Sequence, residues 1–309
     1  MPPLRIVSRG GNVAIFDLNG KRAATIVAEL GDAAAFFECN VMEEDSIDAA
    51  VAGAHAKFGA LHGAVNCAGG SFGGGLTVNR RGETHSMETW WNTVKLNAFG
   101  TFAVCSKVAA VSSQQDDCTD DGEKGVLVNV ASVAAQDGQD GQSAYSAGKG
   151  AIVAMTLPMA RDLSRIGVRV CTIMPVRAIT SSFSHFFGHF CLSFSFLLFL
   201  PDLIFGFKIV TGHHGNAHDG RHGEDSCRPR AHGQHAVSYA IPLPCPLKIR
   251  NLEFAPSPRD VSTESELENA AQRYGYAEEF AGLACHIIEN GFLNGESIRL
   301  DGAIRMPKL

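Results

Sequence analysis

Short apolar runs alternate with longer stretches of helical periodicity from residue 9 to residue 175. The runs Val13–Phe16, Ala34–Glu38, Gly63–Asn66, Gly125–Val130 and Val168–Ile173 predict strands. Between them, Lys21–Leu30, Glu44–Phe58, Met87–Ala110 and Ala144–Ile166 carry apolar residues at helical spacing. Strands separated by helices of this length pair in parallel, so the pattern predicts an α/β fold, a doubly wound parallel sheet. A last helix–strand pair, Ala277–Glu289 and Ser297–Leu300, closes the chain, and Gly10-Gly11 marks a helix end ahead of the first run.

From 176 to about 262 this grammar stops. Residues 183–207 hold nine of the 19 phenylalanines, and 185–235 hold eight of the 12 histidines. Neither a strand nor a helix period fits for long, and the segment reads as foreign to the fold. Pro201 and Asp202 leave only Phe190–Leu200 uninterrupted, which is too short to span a membrane. His214, His218 and His222 recur every four residues, but intervening glycines spoil the helix a metal site would need, so no metal site is expected. Phe, Leu and Ser codons are pyrimidine-rich and Val176-Arg177 can be written as an intron opening, so translated intron is an open reading of this stretch.

Composition narrows the function classes. With 309 residues, 45% apolar and 19% charged, the chain has the make-up of a globular protein with a sizeable core. A formal net charge of −6 argues against general nucleic-acid binding. Nine cysteines without a CxxC pair suit a reducing compartment better than a disulfide framework. The start MPPLRIVSRGG carries two arginines and no acid, but it is too short and glycine-rich to read as a targeting peptide.

Candidate chemistry lies in VLVNVASVAAQDGQDGQSAYSAGKGAIVAM. Tyr145 and Lys149, four apart, share one helix face. A phenol titrates near pH ~10 unperturbed, and a neighbouring ammonium favours its ionised form, moving it toward the range where it can exchange a proton. Ser132 ends a strand, where its hydroxyl can bind a substrate oxygen. VNCAG, Val65–Gly69, ends a buried strand in a glycine turn, and KLNAFGTF puts Asn97 inside a helix.

In order and spacing these motifs resemble the short-chain dehydrogenase/reductase family. The Asn-Asn-Ala-Gly signature stands here as Asn66-Cys67-Ala68-Gly69. Residues 9–175 and 275–309 look like the type 2 3-hydroxyacyl-CoA dehydrogenases within it. The resemblance implies a single Rossmann-type NAD-binding domain over 1–309, with 176–262 replacing the region that covers nicotinamide and substrate. It implies Tyr145 as general acid/base, Lys149 on the nicotinamide ribose, Ser132 on the substrate oxygen and Asn97 holding a water that links Lys149 to solvent. It places Asp17 on the adenosine ribose, favouring NAD over NADP, with Asn40, Val41 and Cys67 lining the adenine pocket. Asn40 stands where the family usually has Asp. Thr180, five residues after Pro175, falls where the family has a nicotinamide-binding threonine. An acyl-CoA or steroid substrate, a homotetramer and a mitochondrial location are implied, with the cytoplasm as the alternative compartment.

Family members carry a strand and glycine-rich loop ahead of the stretch matched by Ser8–Gly20, where the pyrophosphate meets backbone amides. The sequence as read starts inside the helix after that loop. GGSFGGG, Gly69–Gly75, follows a later strand and matches an active-site loop instead. The expected sheet therefore lacks its first strand and carries a gap or an unpaired edge. A second function class stays open on the same ground: a catalytically impaired isoform acting as a binding partner.

Overall fold

A computed structural model describes residues 2–176, 178–179, 195–199, 273 and 275–305. These belong to one of two compact units, Met1–Phe205 with Ser265–Leu309; the other, Gly206–Glu264, lies outside the described residues.

The chain opens on helix α1 (Pro2–Val7), which ends as the glycine pair predicts. Gly10 takes φ +86°, and the Gly11 amide donates to the Ile6 carbonyl at 3.1 Å. Strand β1 (Asn12–Asp17) follows, with Val13, Ala14 and Ile15 fully buried, then α2 (Gly20–Leu30) and β2 (Ala34–Glu38). Helix α3 (Glu44–Phe58) buries Ile47, Ala50, Val51 and Ala54, one stripe at helical spacing, and stops at Gly59 with φ +81°. Strand β3 (Gly63–Asn66) is buried throughout, as a strand covered on both faces must be.

The helix predicted over Met87–Ala110 is interrupted. Helix α4 (Met87–Val94) is capped by the Ser86 hydroxyl on the Thr89 amide, then passes through one π-helical segment, Lys95–Phe99, into α5 (Gly100–Ser112). Met87–Ser112 is long and apolar enough to cross a membrane, but half of its apolar window is buried inside the fold. Strand β4 (Gly125–Val130), helix α6 (Ser143–Leu163) and strand β5 (Val168–Pro175) complete the predicted run. Two short strands, β6 (Ala178–Ile179) and β8 (Gly275–Tyr276), pair in parallel; α7 (Ala277–Glu289) and β9 (Ser297–Leu300) end the described chain.

The short pair β6 and β8 lies outside the predicted strands, and so does one strand of the main sheet. β7 (Ser195–Phe199) comes from the segment read as foreign and enters the middle of the main sheet. The seven-stranded order is β2-β1-β7-β3-β4-β5-β9. β7 runs antiparallel to both neighbours, pairing Leu197 with Ala14 on one side and Ala64 on the other. The other neighbouring pairs are parallel. The expected gap is therefore filled, because the facing edges of β1 and β3 present amides and carbonyls that must find partners once buried. Helices α3, α5 and α6 cover one face around Leu127, Val104 and Val170; α1, α2 and α7 cover the other around Ile15, Val128 and Ile287. The doubly wound α/β fold stands.

Candidate active site

In a sheet of this kind, ligands sit beyond the carboxyl ends of the parallel strands. β4 ends at Val130, and two residues later Ser132 lies in extended backbone as the cap of a short 3-10 turn, Val133–Ala135. Its Oγ accepts from the Ala134 amide at 3.2 Å. That bond orients the hydroxyl from below. Helix α6 packs against this turn and carries Tyr145 and Lys149 one turn apart.

Lys149 is 3% exposed, and a buried ammonium is tolerated only with partners. Its Nζ donates to the Val130 carbonyl at 2.8 Å and sits 5.8 Å from the centre of the Tyr145 ring. The cation is thus pinned between the end of β4 and the phenol.

The turn after β3 reaches the same place. A Cβ on Gly69 would lie 2.6 Å from Asn97 Oδ1 and 2.8 Å from Lys149 Nζ, and one on Gly148 would lie 2.9 Å from Asn97 Cβ. Only glycine permits these approaches. Asn97 is fully buried in the π-helical segment. Its Nδ2 donates to the Gly70 and Thr93 carbonyls at 2.6 and 2.7 Å, and its Oδ1 accepts from the Gly70 amide at 3.1 Å. Through these bonds Asn97 clamps the loop after β3. The extra residue of the π turn is what brings Asn97 around to that loop.

The proposed nucleotide end is assembled from β1 and β2. Asp17 closes β1, is buried, and accepts from the Asn19 amide at 2.7 Å, so it also serves the turn into α2. Asn40 follows β2; its Nδ2 donates to Glu43 at 2.7 Å and its Oδ1 accepts from the Met42 amide at 3.1 Å. Val41 is buried against Gly100, where a Cβ would meet it at 2.9 Å. Cys67 follows β3, and burial pushes its thiol up to about 12 against the opposing pull of Lys149. It stays protonated and acts as packing. Thr180, His214, His218 and His222 lie outside the described residues, as do residues 190–194 and 200 of the apolar run. Among the described residues no His, Cys, Asp or Glu cluster could hold a metal ion.

Two contributors escaped the sequence reading. Thr93 Oγ1 accepts from the Phe72 amide at 3.1 Å, adding a second tie on the glycine-rich loop; its place four residues before Asn97 on one helix face was the available signal. Arg299 on β9 grips the turn after Ser132 from the other end of the chain, and no local pattern announces it.

A nicotinamide dinucleotide can be tested against these residues. Its adenosine end would meet the buried Asp17 carboxylate at a strand terminus, and its nicotinamide end the buried Lys149 ammonium beside a phenol. The pyrophosphate finds no strand-to-helix amide cradle between β1 and β3 among the described residues, because β7 runs the other way there.

The short chain dehydrogenase family profile matches residues 4–185. The 3-hydroxyacyl-CoA dehydrogenase type-2 of Rattus norvegicus is 33% identical over 302 residues, 98% of this chain and 88% of the relative. That of Drosophila melanogaster is also 33% identical, over 98% of this chain and 91% of the relative. The crystal structure of 3-hydroxyacyl-CoA dehydrogenase type-2 from Mycobacterium avium superposes with a TM-score of 0.68 at 27% identity, covering 100% of this chain and 92% of that one. On the family profile and on these relatives alike, the chain belongs to the short-chain dehydrogenase family of oxidoreductases.

Proposed function

We propose that this oxidoreductase uses NAD to interconvert L-3-hydroxyacyl-CoA and 3-ketoacyl-CoA, with hydroxysteroids as secondary substrates. The observation that carries the reading is the buried Lys149 ammonium, held on the Val130 carbonyl beside the Tyr145 ring. A fixed cation favours the phenolate, so Tyr145 can take a proton from a substrate alcohol and return it to a carbonyl. Ser132, oriented by the Ala134 amide, donates to the same substrate oxygen. Asn97, which ties down the loop after β3, would hold the water that links Lys149 to solvent. The bound nicotinamide supplies hydride transfer. Asp17 would hold the adenosine ribose, and its carboxylate would repel the extra phosphate of NADP. Asn40, Val41 and Cys67 would line the adenine side, Thr180 the nicotinamide side. The names of the relatives support the acyl-CoA substrate class.

Assembly as a homotetramer is part of the proposal, supported by Trp91, Phe99, Phe102 and Leu157, exposed apolar side chains on α4–α6. A mitochondrial location and a single catalytic domain, with 176–262 in place of the substrate-covering region, follow from the family resemblance.

The central antiparallel strand favours a second reading, an impaired isoform that serves as a binding partner. Losing several charge-assisted bonds to the pyrophosphate, each worth about 1.5–3 kcal/mol, would weaken NAD binding by orders of magnitude. One experiment separates the two. NADH-dependent reduction of acetoacetyl-CoA is measured for the wild-type chain and for Tyr145→Phe, alongside NADH titration by fluorescence. Turnover that Tyr145→Phe abolishes with NADH binding intact supports the enzyme. Weak NADH binding without turnover supports the partner, and turnover indifferent to Tyr145→Phe defeats the reading of the site.

A further inference from the structure

Arg299 is the last charged side chain of β9, in register with Met174 of β5. Its guanidinium is 18% exposed and makes four bonds. Nε donates to Asp301 at 2.7 Å, Nη1 to Gln136 Oε1 at 2.8 Å, and Nη2 to Asp137 at 2.6 Å and to the Ile304 carbonyl at 3.1 Å. Arg305 shares Asp301 at 3.2 Å, so two cations face two carboxylates.

Two of these bonds would suffice to tie down the end of the chain, since Asp301 and Ile304 belong to it. The other two reach more than 160 residues back, to Gln136 and Asp137. Those residues close the short turn that Ser132 opens. The amides of Gln136 and Asp137 donate to the Val133 carbonyl at 2.9 and 2.8 Å, Ala135 donates to the Ser132 carbonyl at 3.0 Å, and Ala134 holds Ser132 Oγ. Next along the chain, a Cβ on Gly138 would lie 2.4 Å from Ser146 Oγ, so the segment leaving the turn is pressed against α6 one residue beyond Tyr145. The turn with Ser132 and the helix with Tyr145 meet at this contact. A planar fork with several fixed donors is suited to holding the turn in one orientation.

We propose that Arg299 is a positioning residue for the oxidoreductase: through Asp137 and Gln136 it sets the Ser132 hydroxyl against the Tyr145 phenol. The inference rests on the functional reading above, and its test is built to fail separately from it. Arg299→Lys keeps the charge and loses the fork; Asp137→Asn keeps the shape and loses the charge. Each variant and the double are prepared in the full chain. Turnover of acetoacetyl-CoA with NADH, NADH affinity, thermal midpoint and amide hydrogen exchange are compared with wild type.

Positioning requires kcat lower by on the order of ten- to a hundredfold with NADH affinity unchanged. It also requires faster exchange confined to 133–141, and a double variant no worse than the worse single one. Faster exchange spreading through Val168–Pro175 and Ser297–Leu300, with kcat and thermal midpoint falling together, would mean Arg299 only stabilises the sheet edge and would overturn the proposal. So would unchanged kcat in both single variants. If the wild-type chain shows no turnover, the oxidoreductase reading fails alone. Exchange at 133–141 then still decides whether Arg299 holds the Ser132 turn, and unchanged protection there overturns it.

Discussion

From β3 through β4 and β5 to β9 the neighbouring strands run parallel, and Ser132, Tyr145, Lys149 and Asn97 lie on α6, on the π-helical segment and just past the end of β4. Between β1 and β3 the sheet is completed differently, by five residues drawn from the aromatic-rich segment and laid in the opposite direction. The two regions separate demands that a parallel strand ordinarily meets together. Filling the sheet requires only amides and carbonyls on both edges, which a strand of either polarity supplies. Cradling an anion requires the strand to end at the crevice and turn into a helix N-terminus, which only the parallel direction allows. Among the described residues the sheet is closed at this place by a strand of the opposite polarity.

The largest effect tests that closure. Leu197 pairs with Ala14 and Ala64, so Leu197→Pro removes a ladder donor in the middle of the sheet. The loss is expected to take a large part of the roughly 5–15 kcal/mol that holds a domain together, since proline is not accommodated in the middle of a sheet. Urea unfolding would show an early or non-cooperative transition; a wild-type curve would mean that β1 and β3 are held by other means.

The parallel half is tested by Gly69→Ala, whose methyl must displace Asn97 Oδ1 or Lys149 Nζ. Overpacking costs about 1–3 kcal/mol, and a displaced ammonium should lower kcat on the order of a hundredfold. Urea titration and saturating-NADH kinetics read the two effects apart. Activity equal to wild type would show that Lys149 need not sit where it does.

The smallest effect concerns α7, which covers the outer face of the parallel half. Arg273 holds the Glu279 carboxyl down to about 2, well below its ordinary value, with help from the Tyr276 amide. The folded value lies below the unfolded one, so the contribution is present above pH ~4.5 and disappears as pH falls toward 2. Carboxyl NMR should place the Glu279 titration near 2, and Arg273→Ala should return it toward the ordinary range.

How much of this was legible in the sequence follows from how local each determinant is. Strand β3 and helix α3 carry their own period, and their bounds in the structure are those the sequence predicts. Tyr145 and Lys149 needed only helical spacing. The π turn at Lys95–Phe99 was hidden because an inserted residue leaves the apolar pattern nearly unbroken. β7 was hidden because Ser195–Phe199 lies inside a longer phenylalanine- and leucine-rich run in which no strand period lasts; the vacancy between two distant strands selects it. Arg299 could not be found locally, since its partners Gln136 and Asp137 lie on the far side of the sequence.

The polarity of β7 is a matter of space; its position in the chain is a matter of time. β1 and β3 are finished by residue 66, but the strand that joins them ends at residue 199. At about 5–20 residues per second of synthesis, the two strands wait on the order of ten seconds with their facing edges unmet. Such edges are templates for any passing strand, so the nascent chain is sticky for that interval in a way the finished protein is not. Its yield should then depend on holdase chaperones at the ribosome and on the rate at which codons 67–199 are read, even where its final stability does not.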